Sequence, residues 1–133
     1  MSGTSRPLLP GEATLGVLGG GQLGRMFVHA AQRLGYTTVV LDPDEASPAG
    51  QVAHEHVRAD YLDAAALARL AERCDALTTE FENVPADALA TLAAQRPVAP
   101  GASAVAVCQD RRLEKAHFRA SGVPCAPYAE ITQ

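Results

Sequence analysis

Residues 15–26 read Leu-Gly-Val-Leu-Gly-Gly-Gly-Gln-Leu-Gly-Arg-Met, a pattern that predicts a short buried strand, a glycine turn and the start of a helix. Gly19, Gly21 and Gly24 fit the G-x-G-x-x-G spacing, which lets a backbone pass close to a phosphate or a sugar. The first amides of the following helix have no partner within it and carry a partial positive charge. The stretch therefore predicts a nucleotide-like ligand at a strand-to-helix turn, a feature that many unrelated nucleotide sites share.

The segments around this turn predict an α/β fold, namely a Rossmann-like parallel sheet with flanking helices. Strands are expected at 15–18, 37–41, 57–59 and 76–79, with a last short strand at Val98, and helices at 22–34, 63–73, 85–95 and from 110 to about 121. In the first helix, six apolar residues form one stripe that we expect to face the core: Leu23, Met26, Phe27, Ala30, Ala31 and Leu34.

The composition changes along the chain divide it into three parts. Residues 1–13 are expected to be a flexible leader, residues 14–101 the Rossmann-like domain, and residues 102–133 a connecting helix with the beginning of a further, truncated domain. The leader carries no apolar signal core, so a secretory peptide is not expected.

Charge and cysteine usage restrict the classes of partner. A formal net charge of -4 gives no electrostatic reason to expect nucleic acid or an anionic membrane, and no apolar run is long enough to span a bilayer. Cys74, Cys108 and Cys125 are odd in number and widely spaced, which favours reduced thiols in a cytoplasmic protein. His54 and His56 would share one face of a strand, but the sequence offers too few further ligands for a metal site.

Two interpretations of the glycine turn are open at this point. An NAD(P)-type dinucleotide-binding module is supported by Asp42, which lies about twenty residues beyond the turn, where an acid holds a ribose hydroxyl. Three consecutive glycines, Gln22 within the motif and Pro43 directly after the acid speak against this interpretation.

Several motifs in a fixed order support the second interpretation. They are Gly-Gly-Gly-Gln-Leu-Gly-Arg-Met at 19–26, Leu-Asp-Pro at 41–43, Ser-Pro-Ala at 47–49, Thr-Glu-Phe-Glu-Asn-Val at 79–84 and Gln-Asp-Arg at 109–111. From about Leu15 to Tyr128, the chain resembles the N-terminal region of the 5-(carboxyamino)imidazole ribonucleotide synthases, which are also known as the phosphoribosylaminoimidazole carboxylase ATPase subunits of the ATP-grasp superfamily.

The resemblance implies a ligase of purine biosynthesis that uses ATP, Mg²⁺ and bicarbonate to carboxylate aminoimidazole ribonucleotide through carboxyphosphate. It implies that residues 14–101 are the preATP-grasp domain and that residues 102–133 enter the ATP-grasp domain. No catalytic residue is expected in this chain, and the chain alone is expected to be inactive; a non-catalytic fragment that keeps only the fold is a further alternative. The family commonly forms homodimers.

The resemblance also assigns residues to ligands. The residues expected to bind the acceptor nucleotide are Gly20, Gly21, Gln22, Leu23, Gly24, Asp42, Glu80 and Glu82, and Arg111 is expected to contact ATP. From the residues alone, Glu80 suits either a ribose diol or a helix cap, Asp42 either a substrate or its own Asp-Pro turn, and Arg111 either ATP or a surface ion pair.

Overall fold

The computed structural model describes residues 7–131. Its elements, in chain order, are β1 Thr14–Leu18, α1 Gln22–Arg33, β2 Thr37–Leu41, β3 Glu55–Val57, α2 Ala64–Arg73, β4 Ala76–Thr79, α3 Ala86–Ala93, α4 Ala102–Gln109 and α5 Arg111–Ala120. The predicted bounds of β2 and β4 are confirmed, and the predicted helices and the strands at 15–18 and 57–59 lie within three residues of their observed bounds. The short strand expected at Val98 is reduced to an isolated bridge. The third strand begins two residues earlier than expected.

The four strands form one parallel sheet in the order β3-β2-β1-β4, which confirms the predicted fold class. Val98 adds an isolated parallel bridge to Leu77 at the outer edge of β4. Because parallel strands all end at the same edge, the turns after β1, β2 and β4 lie side by side. This arrangement brings the glycine turn, Asp42 and Glu80 to one end of the sheet.

Helices cover the two faces of the sheet unequally. On one face, α2 and α3 pack against the sheet in a large apolar core that includes Leu18, Leu41, Leu70, Leu77 and Leu89. On the other face, α1 contributes Val28 to a smaller cluster with Val17, Val40 and Ala49. Parallel sheets are normally buried on both faces. Here the face with the smaller cluster is the less completely covered.

The predicted inner stripe of α1 is only partly confirmed, since Ala31 is buried and Phe27 packs against the smaller cluster, but the other members are exposed. The residues that pack inward are the small ones, Gly24, Val28 and Ala31, whereas Leu23, Met26 and Leu34 are 61%, 66% and 66% exposed. The reason is steric, because a Cβ on Gly24 would lie 2.5 Å from the Gly19 carbonyl oxygen and α1 therefore approaches the sheet closely along this side. The exposed apolar residues form the outer stripe of α1, defined here as Leu23, Met26, Ala30 and Leu34.

Within the predicted leader, residues 7–13 are described and form a turn. The Gly11 amide donates to the Gly35 carbonyl oxygen at 2.7 Å, the Tyr36 hydroxyl donates to the Leu8 carbonyl oxygen at 3.0 Å, and Ala13 is buried. These contacts attach the turn to the end of α1 and the start of β2. Residues 1–6 of the leader lie outside the described residues.

Candidate functional site

The glycine turn joins the central strand β1 to α1. Gly19 has a φ of +104°, a conformation that favours glycine, and its Cβ would meet the Glu80 side chain at 2.3 Å. Gly21 is the N-cap residue of α1, which has no side-chain cap of its own and no acidic residue in its first turn. The first amides of α1 therefore depend on acceptors from elsewhere in the chain.

Glu80 provides two of these acceptors. Because β4 pairs with β1 in the register Leu18↔Thr79, the residue after Thr79 lies beside the glycine turn. Glu80 Oε1 accepts the Gly21 amide at 3.1 Å and Oε2 accepts the Gly24 amide at 2.7 Å. A carboxylate at a helix N-terminus is electrostatically favourable, so Glu80 caps α1 across a long sequence separation.

Asp42 holds the turn from the other side. Its Oδ2 accepts the Gly20 amide at 2.7 Å and the Tyr61 hydroxyl at 2.8 Å, and its Oδ1 accepts the Asp44 amide at 2.8 Å. The carboxylate thus organises both the Asp-Pro turn and the glycine turn. Three of its approximately four acceptor positions are occupied by protein donors, which leaves little capacity for a ribose diol.

Two predicted ligand-binding residues lie on the open side of the turn. Within residues 7–131, the amides of Gln22 and Leu23 have no protein acceptor, and both side chains are exposed. Of the predicted group, Asp42 and Glu80 each accept amides of the turn glycines. Gln22 and Leu23 lie between Gly21 and Gly24 in the same segment.

A cleft of about 310 Å³ lies between the end of β4 and α4. Its lining residues are Thr79, Glu80, Phe81, Glu82, Pro100, Ala104, Val105 and Cys108. β4 ends before Glu80, and a turn follows at Glu82, whose side chain is exposed. The alternation of side chains along a strand therefore does not apply to Glu80 and Glu82. Gln109 of the Gln-Asp-Arg motif attaches α4 to this loop, since its Nε2 donates to the carbonyl oxygens of Glu82 and Val84 at 2.6 Å each.

Arg111 belongs to a different part of the surface. It begins α5, its side chain is 76% exposed, and its Nη1 forms an ion pair with Glu114 Oε2. It lines a second cleft of about 280 Å³ together with Arg112, Lys115 and residues 128–131. The neighbouring Asp110 caps α5 by accepting the Arg112 amide, and its hydrogen bonds to Arg112 lower the pKa of its carboxyl. Arg111, the predicted ATP residue, thus lines a different cleft from Glu80 and Glu82.

Tyr61 and Ser47 also contribute to the turn, although the sequence alone predicted a role for neither. Tyr61 donates to Asp42, as described above, while the buried Ser47 accepts the Gly50 amide at 3.1 Å. The Ala49 amide donates to the Gly20 carbonyl oxygen at 2.8 Å, so the Ser-Pro-Ala motif is part of the same assembly. Tyr61 could have been found from its position shortly after the carboxyl end of β3, because ligands bind at the carboxyl ends of the strands in a parallel sheet.

The histidines contact neighbouring protein groups. His54 Nδ1 lies 3.1 Å from the Thr38 amide nitrogen, and His56 Nε2 lies 3.1 Å from the Asp42 carbonyl oxygen. In the described part of the chain, no three His, Cys, Asp or Glu residues are grouped as metal ligands. Among residues 7–131, no helix has the length and apolarity needed to cross a membrane.

Comparison with known proteins identifies this architecture. The family model of the ribonucleotide synthetase preATP-grasp domain matches residues 12–109. These residues include the sheet, α1 to α4 and both carboxylates that hold the turn. The chain belongs to the ribonucleotide synthetase preATP-grasp family. The family match continues through α4 to Gln109.

The relatives of this preATP-grasp chain include enzymes named N5-carboxyaminoimidazole ribonucleotide synthase. An N5-carboxyaminoimidazole ribonucleotide synthase from Brucella melitensis is 47% identical over 121 residues, which are 91% of this chain and 33% of the relative. The crystal structure of N5-carboxyaminoimidazole synthetase from Staphylococcus aureus complexed with ADP is 42% identical, with a TM-score of 0.84, over 92% of this chain and 33% of that one. The Aspergillus clavatus enzyme, in complex with ADP and 5-aminoimidazole ribonucleotide, is 39% identical, with a TM-score of 0.79, over 88% and 31%.

The preATP-grasp chain spans about a third of the length of the curated relatives that it matches. The matched third includes the glycine turn, Asp42, Tyr61 and Glu80, and its fold is that of a ribonucleotide synthetase preATP-grasp domain.

Proposed function

We propose that this chain forms the acceptor-nucleotide portion of an ATP-dependent ligase of purine biosynthesis, which carboxylates 5-aminoimidazole ribonucleotide with bicarbonate. The observation that carries the proposal is the open side of the glycine turn, where the free amides of Gln22 and Leu23 lie next to the Glu80 carboxylate. A relative with the same fold has been crystallised with ADP and 5-aminoimidazole ribonucleotide, which supports this choice of ligand.

The charges around the turn favour one orientation of the ligand. Glu80 and Asp42 both place carboxylate oxygens on the turn amides, so a phosphate at the start of α1 would meet two negative charges at close range. A carboxylate has about four acceptor positions, and protein donors occupy two of those on Glu80. The two remaining positions suit a ribose diol. The ribose therefore faces Glu80 in our proposal, and the phosphate points away from the turn.

In this proposal the chain contributes little to the binding of ATP and Mg²⁺. Arg111 contacts ATP after giving up its ion pair with Glu114, since a planar cation suits a phosphate or a nucleotide edge. Formation of carboxyphosphate from ATP and bicarbonate, with the Mg²⁺ that accompanies it, is assigned to the polypeptide that the relatives have outside the matched third. The chain alone is accordingly proposed to bind ligands without catalysing the reaction.

Calorimetric titration of the chain with 5-aminoimidazole ribonucleotide tests this function. Saturable binding is expected, and Glu80→Ala should weaken it by about tenfold or more, because two charge-assisted hydrogen bonds to the ribose are lost. Glu72→Ala is the matched control, since Glu72 is an exposed acid on α2. Titration with NAD⁺ tests the dinucleotide alternative, which needs a free acid at Asp42.

Two results would contradict the proposal. One is the absence of saturable binding of the ribonucleotide while NAD⁺ binds. The other is an equal effect of Glu80→Ala and Glu72→Ala on the affinity for the ribonucleotide, which would remove Glu80 from the site.

We also propose that the protein is cytoplasmic and forms a homodimer. The outer stripe of α1 is apolar and exposed, and it borders a shallow apolar groove on the sheet face lined by Leu15, Phe27 and Ala76 among others. Exposed apolar patches of this kind mark association surfaces, and a second copy of the chain would cover the open sheet face. Sedimentation equilibrium of the wild type and of Met26→Glu tests this step, with His29→Glu as the control. A monomeric wild type would contradict it.

A further inference from the structure

Tyr61 connects the two carboxylates that hold the glycine turn. It lies in the loop between β3 and α2, and its hydroxyl donates to Asp42 Oδ2 at 2.8 Å. The same oxygen accepts the Gly20 amide at 2.7 Å, so one carboxylate oxygen receives donors from two segments of the chain. The Tyr61 hydrogen bond therefore fixes the direction in which Asp42 presents its oxygen to the turn.

The ring of Tyr61 reaches the second carboxylate segment. It packs edge-to-face against Phe81 with ring centroids 6.3 Å apart, and Phe81 directly follows Glu80. Burial raises the pKa of the Tyr61 hydroxyl well above its usual value, and the hydrogen bond to Asp42 raises it further. The hydroxyl thus remains a donor throughout the neutral range.

We propose that Tyr61 is a positioning residue for the acceptor-nucleotide site. By orienting Asp42 toward Gly20 and packing against Phe81, it keeps the turn in the geometry in which the Gln22 and Leu23 amides are presented to the ligand. Tyr61 itself makes no contact with the ligand in this proposal. The proposal rests on the proposed function for its binding step, but its effect on the turn can be measured without any ligand.

Tyr61→Phe removes the hydroxyl and keeps the ring. Tyr36→Phe is the matched control, because the Tyr36 hydroxyl also donates to one acceptor, the Leu8 carbonyl oxygen. Tyr36 lies just before β2, at the end of the sheet away from the glycine turn. We expect amide hydrogen exchange at Gly20 to accelerate by about tenfold in Tyr61→Phe, the effect of one lost hydrogen bond to a charged group. The affinity for 5-aminoimidazole ribonucleotide should fall by a similar factor, and Tyr36→Phe should change neither quantity.

The possible outcomes separate this proposal from the function on which it rests. Unchanged exchange at Gly20 in Tyr61→Phe would overturn it, and so would faster exchange with unchanged affinity. An equal acceleration at Gly20 and at the core amides of Val17 and Val40 would also overturn it, because this would indicate a general loss of stability. If the wild type does not bind the ribonucleotide, the proposed function fails, while the exchange at Gly20 still decides whether Tyr61 positions the turn.

Discussion

Replacing Glu80 by glutamine should destabilise the fold as well as the site. The carboxylate accepts the amides of Gly21 and Gly24, and α1 has no other side-chain cap. Glutamine keeps one acceptor oxygen but turns an NH₂ group toward the second amide, so one hydrogen bond becomes a contact between two donors. The helix N-terminus also loses its negative partner.

The magnitude follows from these two losses. A hydrogen bond to a charged group contributes about 1.5–3 kcal/mol, and the interaction of the charge with the helix dipole contributes about 0.3–1 kcal/mol. Because Glu80 is partly open to solvent, we take the lower end of the sum, about 2 kcal/mol. For a chain of this length, such a loss lowers the thermal midpoint by roughly 8 °C.

Urea and thermal unfolding followed by circular dichroism measure this effect, with Glu82→Gln as the control. Glu82 has the same charge two residues further along, and its side chain is exposed. We expect Glu82→Gln to change the free energy of unfolding by less than about 0.5 kcal/mol. If both variants unfold like the wild type, Glu80 does not cap α1 in solution and the reasoning is refuted.

Three further substitutions test other parts of the structure. Gly24→Ala should cost about 1–3 kcal/mol in urea unfolding, because its Cβ would lie 2.5 Å from the Gly19 carbonyl oxygen; an unchanged midpoint would mean that α1 can move away from the sheet at no cost. Burial raises the pKa of the Cys74 thiol to about 12, so the free energy of unfolding should be fully present below the unfolded pKa of about 9 and fall as pH rises toward 12. Cys74→Ala should make the fall of the free energy of unfolding with pH shallower. Equal slopes in the wild type and the variant would contradict a raised pKa of the Cys74 thiol. Arg111→Ala should weaken ATP binding by about tenfold in calorimetry and leave the affinity for the ribonucleotide unchanged, with Arg112→Ala as the control; equal loss of both ligands would indicate a structural role for Arg111.

The sequence could predict whatever depends on short-range patterns. The bounds of β2 and β4 follow from β-branched and apolar residues between clear breaks, and Asp63 caps α2 where the helix was expected to begin. The inner face of α1 could not be predicted in the same way. Its apolar residues cover more than half of the helix circumference, and periodicity alone does not reveal that close packing requires the side with Gly24 and Ala31.

The role of Glu80 was open for a different reason. Its contact with α1 depends on β4 lying next to β1, an adjacency that no local pattern encodes. The small, apolar α4 was likewise not predicted as a helix, because residues 102–108 carry no amphipathic period. Both features depend on tertiary neighbours, whereas the predicted strands depend on their own residues.

The hydrogen-bond donors and acceptors of the turn that are already paired favour one of the two interpretations of the glycine motif. A dinucleotide site needs free amides at the start of the helix for the pyrophosphate and a free acid after the second strand for the ribose. Here Glu80 occupies the amides of Gly21 and Gly24, and Asp42 occupies that of Gly20, so three donors of the turn are already paired. What remains available is the two amides of Gln22 and Leu23 and the unused oxygen positions of Glu80. This set of donors and acceptors matches a sugar with neighbouring hydroxyls better than it matches a pyrophosphate.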